Sequence, residues 1–363
     1  MKKLLVKTSF FVLTFMILYG ITYQYYKLNQ GDLQRVGYIY AKDFNHKNGF
    51  ENDFKQPRLF NNLSELSLNR TKKIDVLIVG DSFSAQNQVG YQNQFAKQTN
   101  LTVVNLDNFF YDSPLQELSD IANGTILDEI KVKYIVLQSV ERMLFSRSTS
   151  FVDSSSISTD SLNIIKKIHF AKSKNFVTLD EHSDFFSRTT IRYPLYNIYY
   201  NLDQKAFYSE VYLVKTKQKL FKNYNGLAFL EEDVLAAKNL NAKEQVQTLN
   251  LQLNKIAQKL NQRGIKLLVL IAPDKYDVFY DEIVDKNILV KPLFFNHFKD
   301  LKKDYVFIDS KKVLIDLSKN NKDVYYYADT HWTPKAAKTI GIKIANEINT
   351  LETQTKNNLL NKP

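Results

Sequence analysis

The sequence predicts a doubly wound α/β/α fold with a mainly parallel sheet of five strands. Short apolar runs without strict polar alternation are typical of strands that are buried on both faces of a parallel sheet. The chain contains five such runs: Ile74–Val79, Leu101–Leu106, Val132–Gln138, Ile265–Ala272 and Tyr305–Ile308. Amphipathic helical patterns alternate with these runs, and this alternation favours a sheet that is covered by helices on both faces.

Two of the predicted helices have recognisable ends. One precedes the fourth strand, and Gly264 is placed to end it; its apolar stripe consists of Val246, Leu249, Leu253, Ile256 and Leu260. The other helix closes the domain, where Thr333 is a predicted N-cap and Pro334 suits the first turn. The buried stripe of this closing helix consists of Ala337, Ile340, Gly341, Ile344, Ala345 and Ile348.

The first residues have the pattern of a secretory signal or a signal anchor. Lys2, Lys3 and Lys7 precede an apolar run over 10–23, and positive charge followed by an apolar run marks both kinds of segment. Because no small-x-small cleavage pattern follows, we predict an uncleaved membrane-spanning anchor at 1–28, with a cleaved signal as the alternative. The lysines place the rest of the chain on the extracytoplasmic side of the cytoplasmic membrane.

Composition divides the remaining chain into three parts. Residues 29–70 are polar and predict an irregular lead-in. Residues 71–350 contain all the predicted strands and form the main domain. An aromatic-rich insertion at about 145–240, which opens with a Ser/Thr-rich segment, predicts a cap subdomain. Residues 351–363 predict a flexible tail.

Composition also excludes several kinds of site. The chain has no cysteine, which excludes disulfides, cysteine-based zinc sites and cysteine nucleophiles. The net charge of +11 favours an anionic lipid, a wall polymer or an acidic substrate as partner, while nucleic acid is not expected for an exported domain. A glycine-rich phosphate loop and a His-rich metal set are absent from the sequence, so we predict no cofactor.

A candidate nucleophile follows the first predicted strand. Gly80, Asp81 and Ser82 come directly after Ile74–Val79, and ligands of open α/β sheets bind beyond the carboxyl ends of the strands. Gly80 allows a sharp turn with no Cβ in the way, and Ser82 would then begin the next helix near backbone N–H groups that suit a developing oxyanion. The alternative is that Ser82 only caps that helix and that Asp81 is a turn residue.

A serine hydroxyl needs an adjacent base to act as a nucleophile. Of the five histidines, His331 has the most suitable context, because it follows Asp329 by two residues and precedes a predicted helix start. A carboxylate at Asp329 can fix the imidazole tautomer, which leaves the other ring nitrogen free to take a proton from Ser82. A surface loop would also explain the Asp-x-His pattern.

Four motifs together resemble the SGNH-hydrolase superfamily, and within it the alginate O-acetyltransferase-like branch. They are Val79-Gly80-Asp81-Ser82-Phe83-Ser84, Gln138-Ser139-Val140-Glu141-Arg142, Ala272-Pro273-Asp274-Lys275-Tyr276 and Tyr327-Ala328-Asp329-Thr330-His331-Trp332-Thr333. Asp-x-His-Trp is the most specific of these, because ordinary members of the superfamily use Asp-x-x-His. The resemblance implies that Ser82 is the nucleophile and that Asp329 and His331 supply the acid and base, on a flavodoxin-like α/β/α fold.

The sequence also departs from the family pattern. The superfamily glycine after the second strand and the Gly-x-Asn-Asp of the third strand have no clear counterparts, and the serine precedes the Asp-His pair, unlike in the alginate enzymes. Asn108 is our candidate for the oxyanion side chain, with a turn residue as the alternative. Arg142 either binds an acyl or sugar oxygen or pairs with Glu141. Lys275 either contacts substrate or is an exposed loop lysine, and Trp332 joins this substrate-binding set.

The resemblance implies O-acetyl transfer to hydroxyls of an exported polysaccharide through an acyl-serine intermediate. Cytoplasmic acyl donors do not reach an exported site, so a membrane-bound O-acyltransferase would supply the acetyl group, and the anchor would hold the domain beside it. One alternative is a carbohydrate esterase with the same residues, in which water accepts the acyl group. A further alternative is a non-catalytic glycan-binding or assembly protein, because a fold alone does not confer activity.

Overall fold

The computed structural model describes residues 2–26, 31–37, 39, 52–65, 73–106, 113–158, 188–200, 202–203 and 206–360. The β-strands in these residues are β1 (Asn61–Asn62), β2 (Lys73–Val79), β3 (Val103–Leu106), β4 (Lys131–Val140), β5 (Val211–Val214), β6 (Leu227–Leu230), β7 (Lys266–Ala272) and β8 (Val306–Ile308).

The α-helices of the N-terminal half are α1 (Lys2–Tyr26), α2 (Asp32–Gly37), α3 (Tyr91–Thr99), α4 (Pro114–Asn123), α5 (Ile126–Glu129) and α6 (Leu144–Thr149). Those of the C-terminal half are α7 (Arg188–Tyr199), α8 (Glu231–Leu240), α9 (Lys243–Gln262), α10 (Lys275–Phe279), α11 (Phe294–Lys299), α12 (Ser310–Asn320) and α13 (Pro334–Leu360). Short 3-10 turns lie between them, including one at Ser82–Ser84.

The main sheet is parallel, as predicted, but it has six strands in the described residues instead of five. Its order is β1-β3-β2-β4-β7-β8, and every neighbouring pair is parallel. The five predicted strands are all present. The additional edge strand β1 was missed because it consists of two asparagines, which are too few and too polar to give an apolar run.

Helices cover both faces of this sheet, as a doubly wound fold requires. Val76 and Ile78 of β2 belong to one buried cluster, together with residues of α3 and α13. Leu77 and Val79 of the same strand belong to a second cluster, together with residues of α4 and α9. Successive side chains of a strand point to opposite faces, so the unbroken apolar runs in the sequence reflect burial on both sides.

The strand order reverses between β2 and β4, because the chain passes from β2 outward to β3 and then returns to β4. Loops that follow the two strands at such a switch point diverge and leave a crevice at the carboxyl edge of the sheet. The Gly80-Asp81-Ser82 turn follows β2, and Glu141-Arg142 follows β4. The fold therefore brings these two motifs together.

The segment predicted to be a cap lies partly outside the described residues. Its described part includes α6, α7 and α8 and a two-stranded antiparallel hairpin, β5-β6. Tyr212 and Phe229 of the hairpin stack with ring centroids 5.5 Å apart, and both belong to the main buried cluster. This hairpin is therefore packed against the domain core.

The prediction of an irregular lead-in is wrong for the described part of residues 29–70. This part contains α2 and packs against the folded domain. Leu33 of α2 is completely buried beside Val211 and Ala228. Phe60 and Leu63 on either side of β1 are also buried. A few apolar residues spaced through a polar segment are sufficient to dock it, although they produce no periodic pattern.

The two ends of the chain also differ in part from expectation. Helix α13 continues to Leu360, past the predicted start of a flexible tail at 351, and Leu351 packs against the core. Thr333 stands before α13, but its hydroxyl donates to the carbonyl oxygens of Asp323 and Val324 instead of capping the helix.

At the N-terminus, α1 is long and apolar enough to cross a membrane, the one such helix in the described residues.

The surface of α1 is consistent with a single-pass membrane anchor. Most of its apolar side chains are exposed, and Phe10 and Phe11 have exposed fractions of 70% and 75%, whereas Tyr19 is buried. Helix α1 has 25 residues, which at about 1.5 Å per residue exceeds a hydrocarbon core of about 30 Å. A signal sequence passes the same test of length and composition.

Candidate active site

The turn after β2 is shaped by a close approach between Gly80 and two polar side chains. A Cβ on Gly80 would lie 2.1 Å from Ser84 Oγ and 2.8 Å from Gln138 Oε1. Gln138 Oε1 accepts hydrogen bonds from the Asp81 N–H (3.0 Å) and from the Ser84 hydroxyl (2.8 Å). Only glycine leaves this contact open, so the position of Ser82 depends on Gly80.

Asp81, and not Ser82, supplies the cap of the short 3-10 turn Ser82–Ser84. Its carboxylate accepts a hydrogen bond from the Phe83 N–H at 3.2 Å. The helix expected to begin at Ser82 is thus a single 3-10 turn, and the next α-helix, α3, begins at Tyr91. The hydroxyl of Ser82 is not used for capping and points toward His331.

Ser82, His331 and Asp329 form a continuous hydrogen-bonded chain. Ser82 Oγ lies 2.8 Å from His331 Nε2, and His331 Nδ1 lies 2.6 Å from Asp329 Oδ1. The His331 backbone N–H also donates to Asp329 Oδ1 at 2.9 Å. This geometry has the elements of a nucleophile, a base and a carboxylate that orients the base. Ser82 is exposed, whereas Asp329 is buried.

An aromatic floor lies under the imidazole. The ring of Phe83 is 4.6 Å from the ring of His331 and 4.7 Å from the ring of Trp332, centroid to centroid. Trp332 is fully buried. Its indole N–H donates to Gln86 Oε1, and its carbonyl oxygen accepts from Gln86 Nε2. Trp332, which the sequence predicts to bind substrate, is instead buried and packs against Phe83, which in turn contacts the ring of His331.

Thr330, between the acid and the base, is held by residues from two other parts of the chain. Its backbone N–H donates to Asp32 Oδ1 at 2.8 Å, and its hydroxyl bonds to Asp32 Oδ2. Arg142 Nη2 donates to the same hydroxyl at 3.2 Å. Asp32 Oδ2 also lies 3.9 Å from His331 Nδ1. Asp32 was missed in the sequence because it lies in the polar segment before the domain.

Arg142 lies among buried carboxylates behind the site. Its Nη1 donates to Asp274 Oδ1 at 2.8 Å and lies 3.6 Å from Asp233 Oδ1. Glu141 is not its partner, because Glu141 Oε2 accepts from the Asp274 N–H. Burial raises the pKa of Asp233 to about 6, and the charge of Arg142 opposes that shift. Arg142 thus forms part of the scaffold behind Thr330.

Lys275 is buried, so the prediction of an exposed loop lysine is wrong. Its ammonium donates to the carbonyl oxygens of Tyr326, Tyr327 and Asp329 at 3.0, 2.7 and 2.9 Å. These three acceptors match the three donors of an ammonium group. Lys275 therefore fixes the backbone that leads into Asp329, and burial lowers the pKa of its side chain to about 7.

The Lys275→Met variant tests this burial through the pH dependence of stability. The folded-state pKa is about 7 and the unfolded value is about 10.4, so between these pH values the unfolded state binds more protons. Stability contributed by this group therefore rises with pH, by up to about 1.4 kcal/mol per unit. The free energy of unfolding in denaturant should rise from pH 7 to pH 10 more steeply in the wild type than in Lys275→Met.

The exposed Lys319, which pairs with Asp316 on α12, provides the control. Lys319→Met should give a pH dependence parallel to that of the wild-type protein. If Lys275→Met is also parallel to the wild type, the proposed protonation change of Lys275 on folding is wrong.

A second buried network, missed in the sequence, holds the turn that contains Ser82. Asp81 Oδ1 accepts from Gln138 Nε2 at 2.8 Å, and Asp81 Oδ2 accepts from the Val140 N–H and from Arg147 Nη1, each at 2.7 Å. Arg147 comes from α6 and is 7% exposed. Motif matching singled out Asp81 and Gln138 but could not pair them with an arginine after β4.

Asn108, the predicted oxyanion side chain, lies outside the described residues. The other predicted site residues fall into two groups. Ser82, Asp329 and His331 are brought together at the carboxyl edge of the sheet. Arg142, Lys275 and Trp332 lie behind them and bond to neighbouring protein groups.

Asp32, Asp329 and His331 are the described residues that could hold a metal ion, because their possible ligand atoms lie within 4.8 Å of one another. However, both ring nitrogens of His331 already have partners. Nδ1 contacts Asp329, and Nε2 contacts Ser82. In this arrangement both nitrogens of the imidazole are engaged in hydrogen bonds within the protein.

Comparison with known protein families gives a match to the C-terminal part of the chain. Residues 228–361 match a family model described as the SGNH hydrolase-like domain of acetyltransferase AlgX. No curated protein and no solved structure shows significant similarity to the chain. The matched segment includes β7, β8 and the Asp329–Trp332 loop, whereas Ser82 lies before it. The resemblance to the alginate O-acetyltransferase-like branch of the SGNH superfamily is confirmed over this segment.

Proposed function

We propose that this protein is an extracytoplasmic O-acetyltransferase that modifies hydroxyls of an exported polysaccharide through an acyl-Ser82 intermediate. The observation that supports this most strongly is the 2.8 Å separation of Ser82 Oγ and His331 Nε2 in a chain with an AlgX-type domain. A non-catalytic protein would be favoured by a separation beyond hydrogen-bond reach, and that is not what is found.

The reaction proceeds in two steps. In the first, Ser82 Oγ attacks the acyl carbonyl while His331 Nε2 takes the hydroxyl proton, which then passes to the leaving group. In the second, His331 takes a proton from the acceptor hydroxyl, whose oxygen attacks the acyl-Ser82 ester; the bond between the acyl carbon and Ser82 Oγ breaks, and His331 returns the proton to Ser82 Oγ. Asp329, 2.6 Å from Nδ1, holds the imidazole and stabilises the imidazolium formed in each step.

The donor and the location form part of the same proposal. The exposed apolar surface of α1 supports attachment to the cytoplasmic membrane, and the lysines that precede its apolar run support an extracytoplasmic catalytic domain. An acyl group from the cytoplasm must then be passed across the membrane. We propose a membrane-bound O-acyltransferase as the partner that supplies it.

The loop 321–333 between α12 and α13 carries Asp329 and His331 and is called here the catalytic loop. A cleft that shares Tyr327 with this loop is the proposed site for a large, hydroxyl-rich acceptor. It has a volume of about 700 Å³ and is lined in part by Tyr200, Tyr327, Asn197, Asp203 and Asn225. Tyr327 stands four residues before His331 in the same loop. Aromatic faces combined with amide and carboxylate groups can contact both the apolar and the hydroxyl-bearing surfaces of a sugar.

An esterase is the second candidate, because Ser82 is exposed and water could therefore reach an acyl-enzyme. The two activities differ only in the acceptor. Exclusion of water from the acyl-enzyme would favour transfer over hydrolysis.

The test is to incubate the purified full-length protein with an acetyl ester, alone and with a panel of neutral, amino-sugar and uronic-acid oligosaccharides. We expect acetylated oligosaccharide, detected by mass spectrometry, from at least one class of sugar. Release of acetate at the same rate with and without every sugar would reject the transferase in favour of the esterase. Protein with Ser82→Ala serves as the blank for acetyl transfer by the donor alone.

A further inference from the structure

The segment 31–37, which is separated from the end of α1 by residues 27–30, contacts the loop that carries Asp329 and His331. A Cβ on Gly31 would lie 2.0 Å from the carbonyl oxygen of Ala328, so the two backbones are in direct contact. Leu33 is completely buried. Tyr193 of α7 donates to the carbonyl oxygen of Gln34 at 3.3 Å. The segment is therefore fixed between the catalytic loop and α7.

Asp32 is the residue of this segment that reaches the catalytic loop. Both of its carboxylate oxygens bond to Thr330, one to the backbone N–H and one to the hydroxyl. Oδ1 also accepts from the Leu33 N–H at 2.7 Å, which ties the carboxylate to the start of α2. The side chain of Asp32 is 26% exposed, so these bonds are partly shielded from water.

Holding Thr330 has a direct effect on the two residues beside it. Thr330 joins Asp329 to His331, and its N–H belongs to the peptide that follows Asp329. Fixing that N–H and the hydroxyl therefore restricts rotation of the backbone on which both the carboxylate and the imidazole stand. In addition, the carboxylate of Asp32 lies 3.9 Å from His331 Nδ1, where it would attract the positive charge that forms on the imidazole in the transition state.

We propose that Asp32 is a positioning residue for the triad: it fixes Thr330 and adds a second carboxylate beside His331, so that the membrane-proximal segment completes the active site. This inference rests on the proposed function of Ser82 and His331. It concerns kcat more than KM, because the contacts of Asp32 are made to the catalytic loop.

Two variants separate the hydrogen bonds from the charge. Asp32→Ala removes both, and misplacing a catalytic group can reduce the rate by about 100-fold. We expect kcat for an acetyl ester to fall by about that factor, with KM changed by less than about threefold. Asp32→Asn retains groups that can bond to Thr330 but lacks the charge, so it should lose only about tenfold in kcat.

Asp309→Ala is the matched control, since Asp309 also accepts a backbone N–H at the start of a helix, that of Lys312 on α12. Its kcat should remain at the wild-type value. The variants are compared as full-length proteins in the same detergent, with thermal unfolding recorded for each. If Asp32→Ala does not fold, Asp32→Asn decides: a tenfold loss of kcat supports the inference, and wild-type kcat overturns it.

A fluorophosphonate probe, which labels an activated serine covalently, separates this inference from the proposed function. Labelling of Ser82 should slow in Asp32→Ala by the same factor as kcat. If Ser82 is labelled at the same rate in Asp32→Ala and in the wild-type protein, the proposed role of Asp32 is wrong, but the proposed function is unaffected. Wild-type protein that is not labelled at Ser82 would overturn the proposed function, and the role of Asp32 with it.

Discussion

Ser82→Ala is expected to lower the kcat for acetyl transfer and for ester hydrolysis by about 10⁴-fold or more. Removing the nucleophile of a Ser-His-Asp site leaves only the contribution of binding and oxyanion stabilisation, because His331 and Asp329 act through the serine oxygen. The structure gives Ser82 Oγ the partner that such a nucleophile requires, at 2.8 Å. Initial rates, together with intact-protein mass spectrometry of the acyl-enzyme, measure this effect.

Ser146→Ala is a suitable control, because Ser146 is an exposed serine of α6 whose hydroxyl donates to the carbonyl oxygen of Met143. It should have wild-type kcat and should form the acyl-enzyme. Acyl-enzyme found in Ser82→Ala at the wild-type level would show that another residue accepts the acyl group, and the mechanism would have to be abandoned.

Asp81→Ala is expected to lower the free energy of unfolding by about 3–5 kcal/mol, as is typical when one partner of a buried ion pair is removed. The carboxylate of Asp81 is 10% exposed and faces Arg147 at 2.7 Å. Without it, the guanidinium remains buried without this counter-charge, and the N–H groups of Phe83 and Val140 lose their acceptor. Equilibrium unfolding in denaturant at neutral pH measures the loss.

Asp128→Ala is the matched control for Asp81→Ala. Asp128 also pairs with an arginine, Arg263 at 2.5 Å, but its side chain is 60% exposed. Exposed pairs typically contribute less than about 1 kcal/mol. Equal stability losses in the two variants would contradict a special role for the buried network around Asp81.

The sheet could be predicted from the sequence because burial on both faces leaves a strong local signal. All five apolar runs correspond to strands, and β1 was missed because Asn61 and Asn62 have no such signal. The docking of α2 was missed for a related reason. Leu33 is buried against Val211 and Ala228, and contacts between such distant parts of the chain do not create a local pattern.

The same distinction applies to the site. Ser82, Asp329 and His331 stand in short sequence motifs, so they could be identified individually. Asp32 could not, because its partner Thr330 is 298 positions away. The burial of Lys275 was also not evident, because a lysine after a strand is usually solvated. Its three carbonyl acceptors exist only once the loop before Asp329 has folded.

The short stretch of chain between α1 and Asp32 limits how far the active site can stand from the bilayer. Residues 27–31 are all that separate Tyr26, the end of α1, from Asp32, and a fully extended chain spans at most about 3.6 Å per residue. Asp32, and with it the catalytic loop, therefore lies within about 22 Å of the end of α1. In the anchored arrangement proposed above, acyl transfer takes place in a thin layer at the membrane surface. A donor protein that diffuses in the same plane would then meet Ser82 at a high effective concentration, whereas the polysaccharide would be modified as it emerges and before it moves away.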